Sequence, residues 1–161
     1  MIKKNISKVS EEDKKYHFDV SRKSQRSRSP KILHQKGDYV NKVFNFILLG
    51  SYMQPHQHPG SEKTEKMYLI QGSFALIIFD NSGNIANIHI LEEDKNEFIS
   101  VPAFTWHTYI MLSDEVIIYE EMNGVYNPNT WKKMAPWAPN ENSSEAISYL
   151  EELRTKLSEF F

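Results

Sequence analysis

Between Val40 and Met122 the chain is written as short apolar runs separated by turns, and this constrains the fold more than any other feature. VNKVFNFILLGSY alternates and then turns apolar. KMYLIQG and SFALIIFD flank Gly72, NIANIHIL follows the turn cluster Asp80 to Asn84, and FISVP, WHTYIML and EVIIYEEM complete the series. Such runs have the length and the two-residue period of strands. Recurring about every 8–12 residues with turn signals between them, they predict a β-sandwich or small barrel. No helical period appears inside the segment.

The flanks read differently. Residues 1–20 are polar and mixed in charge, and Ile2, Ile6 and Val9 predict a short helix there. Residues 21–37, SRKSQRSRSPKILHQKG, are basic and poor in apolar side chains, which reads as a solvated, partly ordered arm. After Met122, GVYNPNTWKKMAPWAPNE holds three prolines and two tryptophans. It is too stiff and aromatic for a linker and is expected to pack across the β-domain. Asn142 with Glu145 three residues on has the form of a capping box. Ile147, Leu150, Leu153 and Leu157 follow at helical spacing. The expected organisation is one domain: an N-terminal arm (1–37), a β-barrel (38–122), and a cap with a C-terminal helix (123–161).

The formal net charge of −2 gives no argument for a nucleic-acid partner, although residues 1–36 carry eleven Lys/Arg against four Asp/Glu. No recognition helix or aromatic-interleaved basic patch accompanies that bias. The chain has no cysteine, so any metal must be held by nitrogen and oxygen. The N-terminal segment lacks the apolar core of a signal peptide, and no run reaches membrane-spanning length. A cytoplasmic protein with no membrane or nucleic-acid partner is expected.

Two of the six histidines lie in one tripeptide, His56-Gln57-His58, bracketed by Pro55 and Pro59. In extended backbone, residues i and i+2 face one way, so the two imidazoles aim together. The alternative is a pair of surface histidines in a polar turn. Glu65 shares strand phase with Met67, Leu69 and Gln71, and a carboxylate on an apolar face is costly unless paired or coordinated. Glu62 competes with it but lies in a Gly-Ser-Glu-Lys turn. His107 is in phase with Tyr109 and Met111; alone it would read as a hydrogen-bonded core histidine. Together, three imidazoles and one carboxylate suit Fe, Mn, Zn or Ni as a divalent ion, with positions left open for water or substrate.

These residues resemble the cupin superfamily. Its first motif runs here as Gly50, SYMQP, His56-Gln57-His58, PGSEKT, Glu65, KMYLIQ, Gly72, with a spacer to the glutamate longer than usual. The second appears as Pro102-Ala103-Phe104-Thr105-Trp106-His107, with Phe104 where glycine is usual and Met111 where asparagine is usual. The departure at Phe104 questions the turn before His107. More narrowly, the chain looks like the WbuC type of cupin-fold metalloprotein over roughly residues 22–153. The carriers are Arg26-Ser27-Arg28 with His34, PHQHP, Glu65, IIFD, Trp106-His107 and the tail GVYNP to APWAPNE. The resemblance implies an all-β cupin jelly-roll β-barrel with a polar/basic N-terminal arm and a C-terminal α-helix. It implies His56, His58, Glu65 and His107 as ligands of one divalent metal, and an association with polysaccharide or O-antigen biosynthesis.

Other residues are candidates for lining the site. One of Glu120 and Glu121 should face inward, unless both are edge charges. Glu120, in phase with Val116 and Ile118, is the candidate base or orienting group, with Tyr109 as a second proton carrier. Tyr126 and Trp137 are candidates to cover the barrel mouth and stack on a sugar, or else are core. Arg26, Arg28 and His34 are candidates to bind an anionic group, the alternatives being a solvated arm or a subunit contact. The leading expectation is a metal-dependent enzyme acting on a small sugar-derived ligand, by isomerase/epimerase-like or oxygenase-like chemistry. The alternative is a non-catalytic metal- or saccharide-binding module. Cupins often pair through edge strands, so a homodimer is expected.

Overall fold

The structure is a computed structural model that describes residues 6–160. The elements are α1 (Glu11–Lys23), β1 (Arg28–Ile32), β2 (Val40–Leu48), β3 (His56–Gln57), β4 (Glu65–Gln71), β5 (Ser73–Phe79), β6 (Ile85–Glu92), β7 (Phe98–Val101), β8 (His107–Met111), β9 (Glu115–Asn123), β10 (Lys133–Met134) and α2 (Ala146–Ser158). The strands form two five-stranded antiparallel sheets, ordered β1-β2-β9-β4-β7 and β10-β3-β8-β5-β6. Six of the eight neighbouring pairs join strands that are not consecutive in the chain, as in a jelly roll.

Why the strands read as near-continuous apolar runs is clear from their surroundings: both faces of each sheet are covered. Along β9, Val116 and Ile118 point between the sheets and join Ile47, Met67, Leu69, Phe74, Leu76 and Met111. Ile117 and Tyr119 point outward and meet Phe18, Phe44, Phe46 and Tyr68 beneath α1. On the other sheet, Ala75, Ile77, Phe79 and Ile110 point outward and meet Ala146, Leu150, Leu153 and Leu157 of α2. Alternation then gives hydrophobic side chains in both phases. Turn chemistry is equally local. Asp80 Oδ1 accepts from the Ser82 and Asn84 amides, and Gly83 turns the chain at φ +89°.

The N-terminal region departs from the sequence expectation. The helix does not lie on Ile6 and Val9, and Ile2 falls outside the described residues. It begins after Ser10, whose Oγ accepts from the Asp13 amide, with three carboxylates in the first turn and Arg22 and Lys23 in the last. Its single large buried apolar residue, Phe18, packs edge-to-face on Phe46, and Ser21 donates to the Phe46 carbonyl. Nor is the basic segment a free arm. Arg28–Ile32 pairs antiparallel with β2 as the edge strand of its sheet. Pro30 lies in this strand, as an edge position permits.

At the C-terminus the helix is present, but the capping box is not. The helix starts at Ala146, its N-cap is Glu145, and no side chain caps it. Ile147 is 76% exposed, and Ala146 takes its place in the buried stripe. Arg154 fastens the helix to the barrel by donating to the carbonyls of Met111 at 3.0 Å and Leu49 at 2.6 Å. No helix among the described residues is long and apolar enough to cross a membrane.

Candidate metal centre

Four side chains meet between the sheets. His56 opens β3 and pairs in register with His107, the first residue of β8; His58 lies just past β3, and Glu65 opens β4 on the facing sheet. All four are buried, His107 completely. One ligand atom from each lies within 4.8 Å of all the others. Ring centroids are 4.6 Å apart for His56 and His107, 5.1 Å for His56 and His58, and 5.7 Å for His58 and His107.

Each imidazole is oriented by a backbone carbonyl. Nδ1 of His56 lies 2.9 Å from the Gln54 oxygen, Nδ1 of His58 2.9 Å from the Trp131 oxygen, and Nδ1 of His107 2.8 Å from the Thr105 oxygen. A carbonyl only accepts, so every Nδ1 carries the hydrogen. In a neutral ring the other nitrogen, Nε2, then presents its lone pair. Yet Nε2 of His107 and of His58 lie 2.9 and 3.3 Å from Glu65 Oε2. Lone pairs facing a carboxylate at those distances require positive charge between them. Protons on Nε2 supply it only by burying imidazolium. A divalent cation supplies it for all four groups at once, so the residues present fit a metal.

The electrostatics agree. Burial, followed by the neighbouring His107, holds the His56 imidazole well below its ordinary pKa, in the neutral form a metal ligand needs. Burial pushes the Glu65 carboxyl up, but positive charge at the facing Nε2 positions, as hydrogen bonds from protonated His107 and His58 in the metal-free protein, outweighs it and holds the group well below its ordinary value.

The turn before His107 keeps the shape a glycine would allow. Phe104 itself adopts φ +61°, its ring is 58% exposed, and its amide donates to the His58 carbonyl at 3.1 Å. Met111, where an asparagine is usual, is buried in the inter-sheet core.

A cavity of about 310 Å³ opens onto this cluster. Its walls include Glu120, Tyr109, Arg26, Arg28, His34 and Tyr126. Glu120 is the inward member of the acidic pair; Tyr119 donates to the other, Glu121, at 2.6 Å. Glu120 accepts from the Tyr109 hydroxyl at 2.7 Å and from the Asn45 amide. Burial, then the charge of Glu65, raises its carboxyl to about 8. Burial, then Glu120, keeps the Tyr109 phenol well above its ordinary value.

The structure places three of the expected binding residues as follows. Trp137 does not line the cavity: it packs on Phe79 and Trp106 on the outer face of the second sheet, against Gly83. Arg28 lines it, but its guanidinium is committed to Glu141 Oε1 at 2.6 Å, Ser51 Oγ and the Tyr52 carbonyl. Arg26 is likewise held by Glu141 Oε2 at 3.0 Å. Tyr126 is half-exposed at the mouth and meets Trp131 edge-to-face.

The sequence reading missed Trp131, Lys132, Asn41 and Asn45. The two asparagines had a signal, since they share strand phase with Val43 and Ile47 and are the polar members of an inward row. The tail residues had none. Trp131 matters through its backbone carbonyl, which sets the His58 tautomer, and Lys63 holds that segment by donating to the Thr130 carbonyl while lying over the Trp131 ring.

The family model described as a domain of unknown function, DUF6016, matches residues 10–91, about half of the chain. No curated protein matches the sequence. Solved structures do resemble the fold. CapF with the inhibitor 3-isopropenyl-tropolone is 20% identical with a TM-score of 0.59, covering 69% of this chain and 32% of that one. The capsular polysaccharide assembling protein CapF from Staphylococcus aureus is 19% identical with a TM-score of 0.57, over 66% and 31%. The Lactobacillus farciminis oxalate decarboxylase formate complex is 14% identical with a TM-score of 0.53, over 66% and 31%. The chain spans about a third of the length of these proteins. At such identities the likeness is one of fold, and the fold is the cupin jelly roll.

Proposed function

This chain belongs to the DUF6016 family, and from that footing we propose that it is a divalent-metal-binding cupin acting on a small sugar-derived ligand in polysaccharide or O-antigen biosynthesis. The observation that carries the reading is the convergence of four buried donors, each imidazole with Nδ1 tied to a carbonyl and those of His58 and His107 with Nε2 facing Glu65. Its place in polysaccharide assembly is supported by the fold likeness to CapF and by the tail residues shared with WbuC-type cupins; membership of that type is part of the proposal.

His56, His58, Glu65 and His107 would hold the ion, one of Fe, Mn, Zn or Ni, which would supply Lewis acidity. Glu120 is the proton carrier. A carboxyl raised to about 8 is protonated in part of the population near neutral pH and can both give and take a proton. Tyr109 and Asn45 fix its two oxygens, so its free lone pairs face the cavity in one orientation. Tyr126 closes the mouth over the ligand. Such a set suits isomerase/epimerase-like proton transfer, or oxygenase-like chemistry where the ion is iron. The protein acts in the cytoplasm and forms a homodimer; Ile32 and Leu33, exposed at the β1 edge, support the latter.

Metal analysis of protein purified without added metal tests the reading. Close to one ion per chain is expected, with His56→Ala and His107→Ala losing it. Protein that takes up none of Fe, Mn, Ni or Zn refutes it. Glu120→Gln separates enzyme from binding module: an enzyme keeps metal and ligand but loses turnover, whereas a module shows no product by mass spectrometry and is indifferent to the change.

A further inference from the structure

The end of the cavity beside Glu141 carries Arg26 and Arg28, and Lys132 lies between their field and that of His56. Two of these cations share one carboxylate, since Glu141 pairs through Oε2 with Arg26 and through Oε1 with Arg28. Lys132 has no such partner: among the described residues its Nζ makes no hydrogen bond or ion pair. It lines the cavity and is mostly buried, and its field reaches Glu120, Glu65 and His56 without contact close enough to pair. Among the described residues Glu141 is the one carboxylate paired with these cations, and Glu65 acts on Lys132 only from a distance. Burial first, then Arg28 and Arg26, hold the Lys132 amine below its ordinary pKa, against the opposing pull of Glu141 and Glu65. Asn41, elsewhere in the lining and buried, leaves its Oδ1 without a partner while its amide donates to the Gly124 carbonyl.

We propose that Lys132, supported by the Arg26–Glu141–Arg28 cluster, makes this end of the cavity a subsite for an oxyanion carried by the ligand, so that the natural ligand is a small hydroxylated molecule bearing a carboxylate or phosphate. The amine supplies three donors on a flexible stem and reads charge; the Arg28 guanidinium, whose Nη atoms are committed, adds field rather than direct contact, and Arg26 is held through its Nε. A cavity of about 310 Å³ lies at the small end of ligand pockets, which favours a single sugar-sized unit. This deepens the reading of the cavity as a ligand site and rests on it.

The test is isothermal titration at low ionic strength, on metal-loaded and metal-free protein, with glucose, gluconate, glucose 6-phosphate and inorganic phosphate. At least one of the two anionic sugars should bind about tenfold or more tightly than glucose in both forms, the size expected of one charge-assisted contact. Whichever anionic sugar binds more tightly identifies carboxylate or phosphate as the group read, with inorganic phosphate following the phosphate arm. Lys132→Met should erase the preference and Lys132→Arg should keep most of it, both retaining the wild-type metal content and melting temperature. Equal affinity for glucose and its anionic derivatives, no saturable binding of either anionic sugar, or a preference that survives Lys132→Met overturns the subsite. A protein that discriminates by charge but retains no metal would sink the proposed function and leave the subsite standing.

Discussion

Glu65→Gln separates a metal centre from a buried charge pair, because the two predict opposite signs in the metal-free protein. The three Nδ1 atoms are committed to carbonyls, so neutral rings present Nε2 lone pairs to Glu65 Oε2 at 2.9 and 3.3 Å. A glutamine of the same shape places an amide donor there. One new buried hydrogen bond contributes about 0.5–1.5 kcal/mol, and removing an ionised group from a buried site adds to the gain. For a domain of this size that is an upward shift of roughly 1–6 °C. Wild type at a thousandfold excess of metal over Kd should gain about 4 kcal/mol, or roughly 8–16 °C. Loss of one of four ligands with a hundredfold or greater drop in affinity removes at least about 2.7 kcal/mol of that gain. The assay is thermal unfolding at pH 8, with and without Zn or Mn, for both proteins. The expected pattern is a variant more stable than wild type without metal and much less stabilised by it. A metal-free variant destabilised by about 2 kcal/mol or more, with an unchanged metal response, would show that Glu65 neutralises buried imidazolium and that the ion sits elsewhere.

Phe104→Gly should stabilise the protein by about 0.5–1 kcal/mol in urea unfolding, because relief of a left-handed backbone exceeds the entropy cost of glycine and the ring is mostly exposed; Phe104→Val at the same φ should lose about 1 kcal/mol or more. Gly72→Ala should cost about 1–3 kcal/mol, since φ is +86° and a Cβ would lie 2.8 Å from the Glu115 carbonyl oxygen. Glu141→Gln strands the buried Arg28 and should cost about 2–3 kcal/mol, limited by the Ser51 and Tyr52 contacts that remain. Burial raises the Glu141 carboxyl but the Arg28 charge outweighs it, so its pKa is lowered on folding. Its stabilisation is therefore complete above the ordinary carboxyl range and lost as pH falls through the depressed value. Denaturant midpoints from pH 7 down to pH 3 should fall less steeply in the variant; a parallel decline would refute the assignment.

The barrel was legible because its signals are local. Each strand run, the DNSGN turn and the inward phase of Glu65 and Glu120 follow from alternation along one segment. The four ligands were legible for the same reason, together with the spacing they share with cupins. What escaped was set by partners far along the chain. Arg28–Ile32 looks like a solvated basic stretch until the exposed edge of β2 gives it hydrogen bonds. Arg28 looks like an anion reader until Glu141, more than a hundred residues away, occupies it. Trp137 looks like a sugar platform until Phe79 and Trp106 bury it on the far face of the sheet. Lys132 carries no sequence signal at all, since a lysine in a polar tail is ordinarily solvated.

By itself, then, the sequence determined that strands would form, which side chains would share an inward face, and that nitrogen and oxygen would be the only available metal donors. Tertiary structure alone decided which cations are spent on Glu141, which amine stays unpaired in the cavity, and which backbone carbonyl orients His58. Phase along a strand depends on neighbours one and two residues away, whereas charge compensation and tautomer choice depend on whatever the folded chain brings across the gap.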